Sequence, residues 1–235
     1  MSIRSTVRVT GVAKNTIAKL LIDLGDACSD YQDKALRNLP SRRFEIDEIW
    51  EFVYAKQKNV PIKHENEFGF GDVWTWVAID AESKLVPSWL VGRRDNRDCY
   101  TFLADLRSRL RPGRVQLTTD GLASYLSVIE PLFGADRVDY AQLIKMYDGS
   151  ADTDHRYSPA ACSGIEKRVV TGSPIESLIS TSYVERQNLT MRMGMRRFTR
   201  PGITEIVGTQ RRQKVVLNWE NRRAAASGPC YYANP

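Results

Sequence analysis

The spacing of apolar positions changes twice along this chain. Through residue 37 it is helical, as at Ile17, Leu20, Leu21 and Leu24. Thr10-Gly11-Val12 interrupts that stretch between two short helical segments, 3–9 and 14–23. Asn38-Leu39-Pro40-Ser41 then reads as a linker. From Arg42 the period becomes two: Phe44, Ile46, Trp50, Phe52 and Tyr54 alternate with Glu45, Asp47, Glu51 and Val53. This predicts a long strand with one apolar face. Asp47 points away from that face. Glu48 falls on it, where a carboxylate is less comfortable.

Residues 72–80 predict a second strand, rich in β formers. Ala81-Glu82-Ser83-Lys84 turns the chain, and 85–91 returns as a third strand. A helix is expected over 95–110, with Tyr100, Leu103, Leu106 and Leu110 on one stripe. A short strand over 114–119 ends at Asp120-Gly121, and a helix over 123–133 and a strand over 138–143 follow. Residues 148–180 are rich in Gly, Ser, Thr, Asp and Pro and read as a long surface loop before a final helix at Ser182. Three strands in a meander, then helix, strand, helix, strand and helix, match an α/β ribonuclease-H-like mixed sheet flanked by helices. In that architecture the first and fourth strands are neighbours, so acids at Asp47 and Asp120 converge and a late helix brings in Glu185.

Composition narrows the class. The 235 residues are 42% hydrophobic and 26% charged, as in a soluble globular chain, and no apolar run has the roughly 20 residues of a membrane helix. The first residues lack the apolar core of a signal peptide, so a cytoplasmic location is expected. Cys28, Cys99, Cys162 and Cys230 form no Cys-x-x-Cys pair, and His64 and His155 are the only histidines. A zinc ribbon or histidine-rich metal site is therefore not expected, and the thiols read as reduced and mostly buried. The net charge of +6 is uneven: between Arg186 and Arg223 ten cations face two acids, a local excess of +8. Such a block suits a polyanion, most simply nucleic acid, or else a solvated surface. At the other end, a short helix, a glycine turn and Lys14-Asn15-Thr16-Ile17-Ala18-Lys19 outline a helix-turn-helix. Lys14, Asn15 and Lys19 would face a DNA groove.

The three acids have a shared chemical reading. Phosphodiester cleavage and strand transfer are served by two Mg²⁺ ions roughly 3.5–4 Å apart, which are hard and take oxygen ligands. Asp47, Asp120 and Glu185 supply such ligands without histidine or cysteine. Each also has a plainer explanation. Asp47 suits an exposed strand position, Asp120-Gly121 is a turn signal, and Ser182-x-x-Glu185 is a capping box that starts a helix. On the final helix Asn188, Arg192 and Arg196 share a stripe with Glu185, where they would meet a DNA strand. Val184, Met191 and Met195 form the other, core-like stripe.

At these residues the chain resembles bacterial insertion-sequence transposases of the Asp-Asp-Glu class, of the insertion-sequence-one type. The resemblance rests on Asp47-Glu48-Ile49-Trp50, Gly71-Asp72-Val73-Trp74-Thr75-Trp76, Gln116-Leu117-Thr118-Thr119-Asp120-Gly121 and Thr181-Ser182-Tyr183-Val184-Glu185-Arg186-Gln187-Asn188-Leu189. Asp139-Tyr140-Ala141-Gln142 and the stretch from Met193 to Arg200 extend it. It runs from about residue 2 to 200 and implies a catalytic domain over 42–200 after a truncated helix-turn-helix segment over 1–37, and it leaves a divergent basic tail over 201–235. It also implies Asp47, Asp120 and Glu185 as the catalytic, metal-binding triad for Mg²⁺, with Mn²⁺ as a substitute. The implied partners are double-stranded DNA, at element ends and target, and further copies of the chain assembled on it. That places the protein at the nucleoid. Relatives carry a cysteine-rich zinc-binding segment before the helix-turn-helix, and this chain starts at Met1 without one. After Arg200 the family's aromatic-rich helix is replaced by an unfamiliar ending, which a frameshift would explain. A catalytically inactive, DNA-binding remnant is the alternative to an active transposase, and a nuclease without strand transfer is a third reading.

Overall fold

A computed structural model of the chain describes residues 3–64, 70–147 and 162–194. The N-terminal helices are α1 (Ile3–Thr10) and α2 (Lys14–Ala35), separated by Gly11 at φ +71°. Strands β1 (Arg43–Val53), β2 (Gly71–Asp80) and β3 (Ser88–Gly92) form the meander. Then come α3 (Asn96–Arg109), β4 (Val115–Thr119), α4 (Ala123–Phe133), β5 (Val138–Tyr147), β6 (Cys162–Thr171) and α5 (Ser182–Gly194). The six-stranded sheet has the order β3-β2-β1-β4-β5-β6. β1, β4 and β5 run parallel, whereas β2, β3 and β6 pair antiparallel to their neighbours. This is the expected ribonuclease-H-like mixed sheet, with β1 and β4 adjacent.

Both faces of β1 are covered, which corrects the one-faced strand. Phe44 and Ile46 enter a core with Trp76, Leu117 and Tyr140 beneath α3 and α4. Ile49, from the polar register, is fully buried with Val77, Val184 and Met191 beneath α5. The apolar stripe of α3 is Cys99, Phe102, Leu103 and Leu106, and Tyr100 points outward at 54% exposure.

The expected loop over 148–180 contains β6, and β5 runs to Tyr147 rather than 143. The pairing of β4 with β5 ends at Thr119↔Gln142, so the rest of β5 pairs with β6 alone. Most of β6 is exposed on both sides, which removes the alternation by which a strand is read from sequence. Cys162 at its start is exposed and Cys28 is half-buried, so Cys99 is the one buried thiol among the described cysteines.

α2 continues twelve residues past the expected stop at Asp23, to Ala35. Its later half is tied to the sheet domain. Gln32 Nε2 donates to the carbonyls of Val86 and Pro87, at 3.2 and 3.1 Å, and Gln32 Oε1 accepts from the Trp89 indole. Arg109 reaches Asp33 at 2.5 Å. Leu39, in the expected linker, is buried and exchanges backbone hydrogen bonds with Arg109 and Arg111. By contrast no residue of α1 is buried, and Leu20 and Leu24 of the predicted apolar stripe are 65% and 46% exposed. Among the described residues no helix is long and apolar enough to cross a membrane.

Gln32→Ala would remove two buried hydrogen bonds and a part-buried one at once. Urea denaturation should show a loss of about 2 kcal/mol or more. An unchanged midpoint would mean that α2 is not anchored there.

Candidate active site

The site forms where β4 stops. Its four pairs with β1 end at Ile46↔Thr119, so the next residues, Asp47 and Asp120, lie side by side at an open strand end. Asp120 is held by its backbone: Gln142 Nε2 and the Thr119 hydroxyl donate to its carbonyl, at 3.1 and 2.7 Å. Its Oδ1 accepts from Leu122 N–H at 3.0 Å, so the turn reading of Asp120-Gly121 is also realised. The carboxylate nevertheless remains 36% exposed.

With β4 gone, side chains from both faces of β1 reach the notch. Oxygens of Asp47, Glu48 and Asp120 all lie within 4.8 Å of one another. The Glu48 side chain is only 1% exposed. It accepts from the Tyr125 hydroxyl and from Arg94 Nε at 3.2 Å. Arg94 Nη2 also stands 3.6 Å from Asp120 Oδ2. Glu48 had been legible only as a carboxylate in an apolar register. Its partners Arg94 and Tyr125 carried no sequence signal.

The third wall is α5. Its first-turn N–H groups at Tyr183 and Val184, which lack partners within the helix, donate to Glu45 Oε2, at 2.7 and 3.2 Å. A carboxylate from β1 therefore caps the helix, which complements its dipole. The expected capping box does not form: the helix starts at Ser182, Ser182 and Ser180 share a hydrogen bond, and Glu185 instead accepts from Thr181 Oγ1 at 2.5 Å. Glu185 faces the cleft, where Lys145 Nζ lies 2.5 Å from its Oε2. Lys145 falls beyond the predicted end of β5 and was not foreseen. An open cleft of about 550 Å³ joins these parts, lined among others by Asp47, Arg94, Asp120, Lys145, Thr181 and Glu185.

Asn188, expected to face DNA, is only 3% exposed. Its amide donates to Asp47 Oδ2 at 2.8 Å, and its Oδ1 is buried without a partner among the described residues. It therefore orients Asp47 rather than meeting solvent. Arg192 is exposed on the same helix, and Arg196 lies outside the described residues. Lys14 and Asn15 are exposed at the start of α2. Lys19 is exposed too but pairs with Asp23 at 2.6 Å. The tail 201–235 also lies outside the described residues.

Crowding of like charge shows in the acidities. Burial, then the charge of Asp120, pushes the Asp47 carboxyl up to about 6. The same two causes push Glu48 up to about 7, against the opposing effects of Tyr125 and Arg94. Glu185 is close enough to Asp47 to raise it further. Burial would lower the Lys145 ammonium, but its hydrogen bond to Glu185 and their mutual attraction leave it raised. The donor set is all carboxylate, with a buried amide oxygen behind it, and fits a hard divalent cation.

Residues 70–156 match the profile of the DDE domain of IS240-type transposases. That stretch runs from β2 into the segment after β5 and is similar to a DDE domain. The matched stretch includes Asp120, while Asp47 and Glu185 flank it on either side. No curated protein matches the chain. Among solved structures, one similar chain is the piggyBac transposase in a synaptic complex with hairpin DNA. It is 10% identical with a TM-score of 0.39, over 84% of this chain and 50% of that one. Another is from the Mos1 strand transfer complex, 14% identical with a TM-score of 0.30, over 89% of this chain and 62% of that one. The chain thus spans less than two thirds of the length of either.

Two outcomes follow for this cluster of acids. In the metal-free protein, an acid that holds its proton more tightly when folded contributes stability that is present at low pH. For Asp47 that contribution is present below about 4 and lost as pH rises through about 6. Asp47→Asn should therefore be about 2 kcal/mol more stable than the parent at neutral pH, the difference vanishing towards pH 4. Denaturation in chelator across pH checks this, and parallel curves would refute it. Separately, Glu45→Ala should cost about 1–2 kcal/mol by uncapping α5, read by the same denaturation.

Proposed function

We propose that the chain is a metal-dependent DNA transposase of the insertion-sequence-one type, a polynucleotidyl transferase that cuts element ends and joins them to target DNA. The observation that carries this reading is the convergence of Asp47, Asp120 and Glu185 on one open cleft, with Asp120 inside the stretch similar to a DDE domain. Asp47 and Asp120 would hold Mg²⁺, or Mn²⁺ in its place, with Glu185 as the third ligand from the facing helix. Bound there, such ions activate an attacking oxygen and stabilise a leaving one.

This chain's own residues do the rest. Asn188 holds Asp47 in one rotamer, and Glu45 fixes the helix that delivers Glu185. Lys145 and Arg94 neutralise the acids while the cleft is empty and are close enough to turn to phosphate oxygens when DNA enters. Water attacks the phosphodiester at an element end: one P–O bond forms, the bond to the 3′ oxygen breaks, and that oxygen takes a proton. The freed 3′-hydroxyl then attacks a target phosphodiester in the same way. The raised pKa values of Asp47 and Glu48 imply that the site binds cations poorly in acid.

We assign residues 1–37 to recognition of DNA, through Lys14, Asn15 and Lys19, and residues 42–200 to catalysis, with Arg192 and Arg196 on the DNA side. Double-stranded DNA, a cytoplasmic location at the nucleoid and assembly of several copies on DNA belong to this proposal.

Labelled element ends incubated with Mg²⁺ test it. Joined products are expected. Cleavage without joining would identify a nuclease, and binding without cleavage a catalytically inactive remnant. Asp120→Asn should lower cleavage at least about a hundredfold while DNA binding stays within about twofold. Equal loss of both would contradict the role of a metal ligand.

A further inference from the structure

The meander carries aromatic rings beyond the core, on the face that leads into the acidic notch. Trp50 and Trp74 are directly paired across β1 and β2, so their indoles share one face. Glu48 and Phe52 flank Trp50 on that same face of β1, and the Trp50 and Phe52 rings lie 5.7 Å apart. Phe44, Ile46 and Trp76 of this face are sealed beneath α3 and α4, whereas Trp50, Phe52 and Trp74 belong to no buried cluster and keep part of their surface open. Tyr54, just past the end of β1, is 52% exposed.

Each indole carries a cation. Lys56 Nζ sits 5.4 Å from the Trp50 ring centroid, and the Arg94 guanidinium carbon sits 4.5 Å from that of Trp74. Arg94 is the same side chain that reaches Glu48 and Asp120. The aromatic row and the acidic cleft are therefore continuous through one residue. Both tryptophans keep part of their surface exposed beneath long, movable cationic side chains, and those cations supply countercharge for a sugar-phosphate backbone. Stacking of a base on an indole is stronger than an exposed cation–π contact, so a base displaces the cation and the cation turns to the adjoining phosphate.

We propose that Trp50, Phe52 and Trp74, with Lys56 and Arg94, form a base-stacking platform for unpaired nucleotides of the DNA strand whose phosphodiester enters the cleft. The occupant is a single strand because bases within a duplex have both faces stacked already. This inference rests on the transposase reading, and it adds a binding site outside the carboxylate cluster. It assigns the row the task of holding the frayed strand next to the cut, so that the phosphate stays in line with the acids.

The full chain is titrated in chelator with two duplexes of one sequence, one blunt and one bearing a five-nucleotide unpaired 3′ extension. Tryptophan emission and affinity are both read. The parent should bind the extended duplex more tightly and lose emission on binding. Trp50→Ala and Trp74→Ala should each weaken binding of the extended duplex about tenfold and leave the blunt duplex within about twofold. Trp50→Phe and Trp74→Phe keep an aromatic face and should retain most of the preference, which separates stacking from damage to the fold. Equal affinity of the parent for both duplexes, or alanine variants that keep the preference, would overturn the platform and leave the transposase reading standing. A parent that binds neither duplex would overturn both.

Discussion

Four carboxylates, Asp47, Glu48, Asp120 and Glu185, meet around one notch, and their repulsion is the constraint on which the surrounding structure turns. The notch exists because β4 stops beside Ile46 while β1 continues. A longer β4 would have sealed the strand and kept the two faces of β1 apart. Its early end lets Asp47 and Glu48, which point to opposite faces, bring their oxygens to the same place as Asp120. Burial then makes the crowding costly, and both β1 acids hold their protons unusually tightly.

Two cations offset that repulsion from different elements. Arg94, in the connection between β3 and α3, bridges Glu48 and Asp120, while Lys145 from β5 pairs with Glu185. Neither is sealed off, with side-chain exposures of 35% and 31%. On the proposed transposase reading that partial exposure matters, because an incoming cation would displace these contacts and an incoming phosphate would accept them. A fully buried ion pair would resist both. Glu45 plays a third part, since it spends its charge on the N-terminus of α5 and so locks the helix that carries Glu185 and Asn188.

Much of the plan was legible from the residues in order. The meander followed from alternation in β1 and the β formers of β2, α4 matched its predicted bounds, and the adjacency of Asp47 and Asp120 followed from strand order. What escaped has identifiable causes. β6 is solvent-exposed on both sides, so it shows no alternation. Ile49 reads as out of register on a one-faced strand because the cover supplied by α5 comes from residues far along the chain. Asn188 reads as a surface residue because it shares a helix stripe with arginines, whereas burial is decided by what the helix lies against.

Periodicity, strand order and the types of the acidic residues were thus determined by the sequence alone, because local backbone preference and the alternation of apolar side chains are short-range properties. Which countercharge meets which acid, which carboxylate caps α5 and which rings stay open beside the cleft were decided only by tertiary structure. Those pairings join residues as distant as Glu45 and Tyr183, or Glu48 and Tyr125. They depend on where one strand ends relative to its neighbour, and no local pattern encodes that distance.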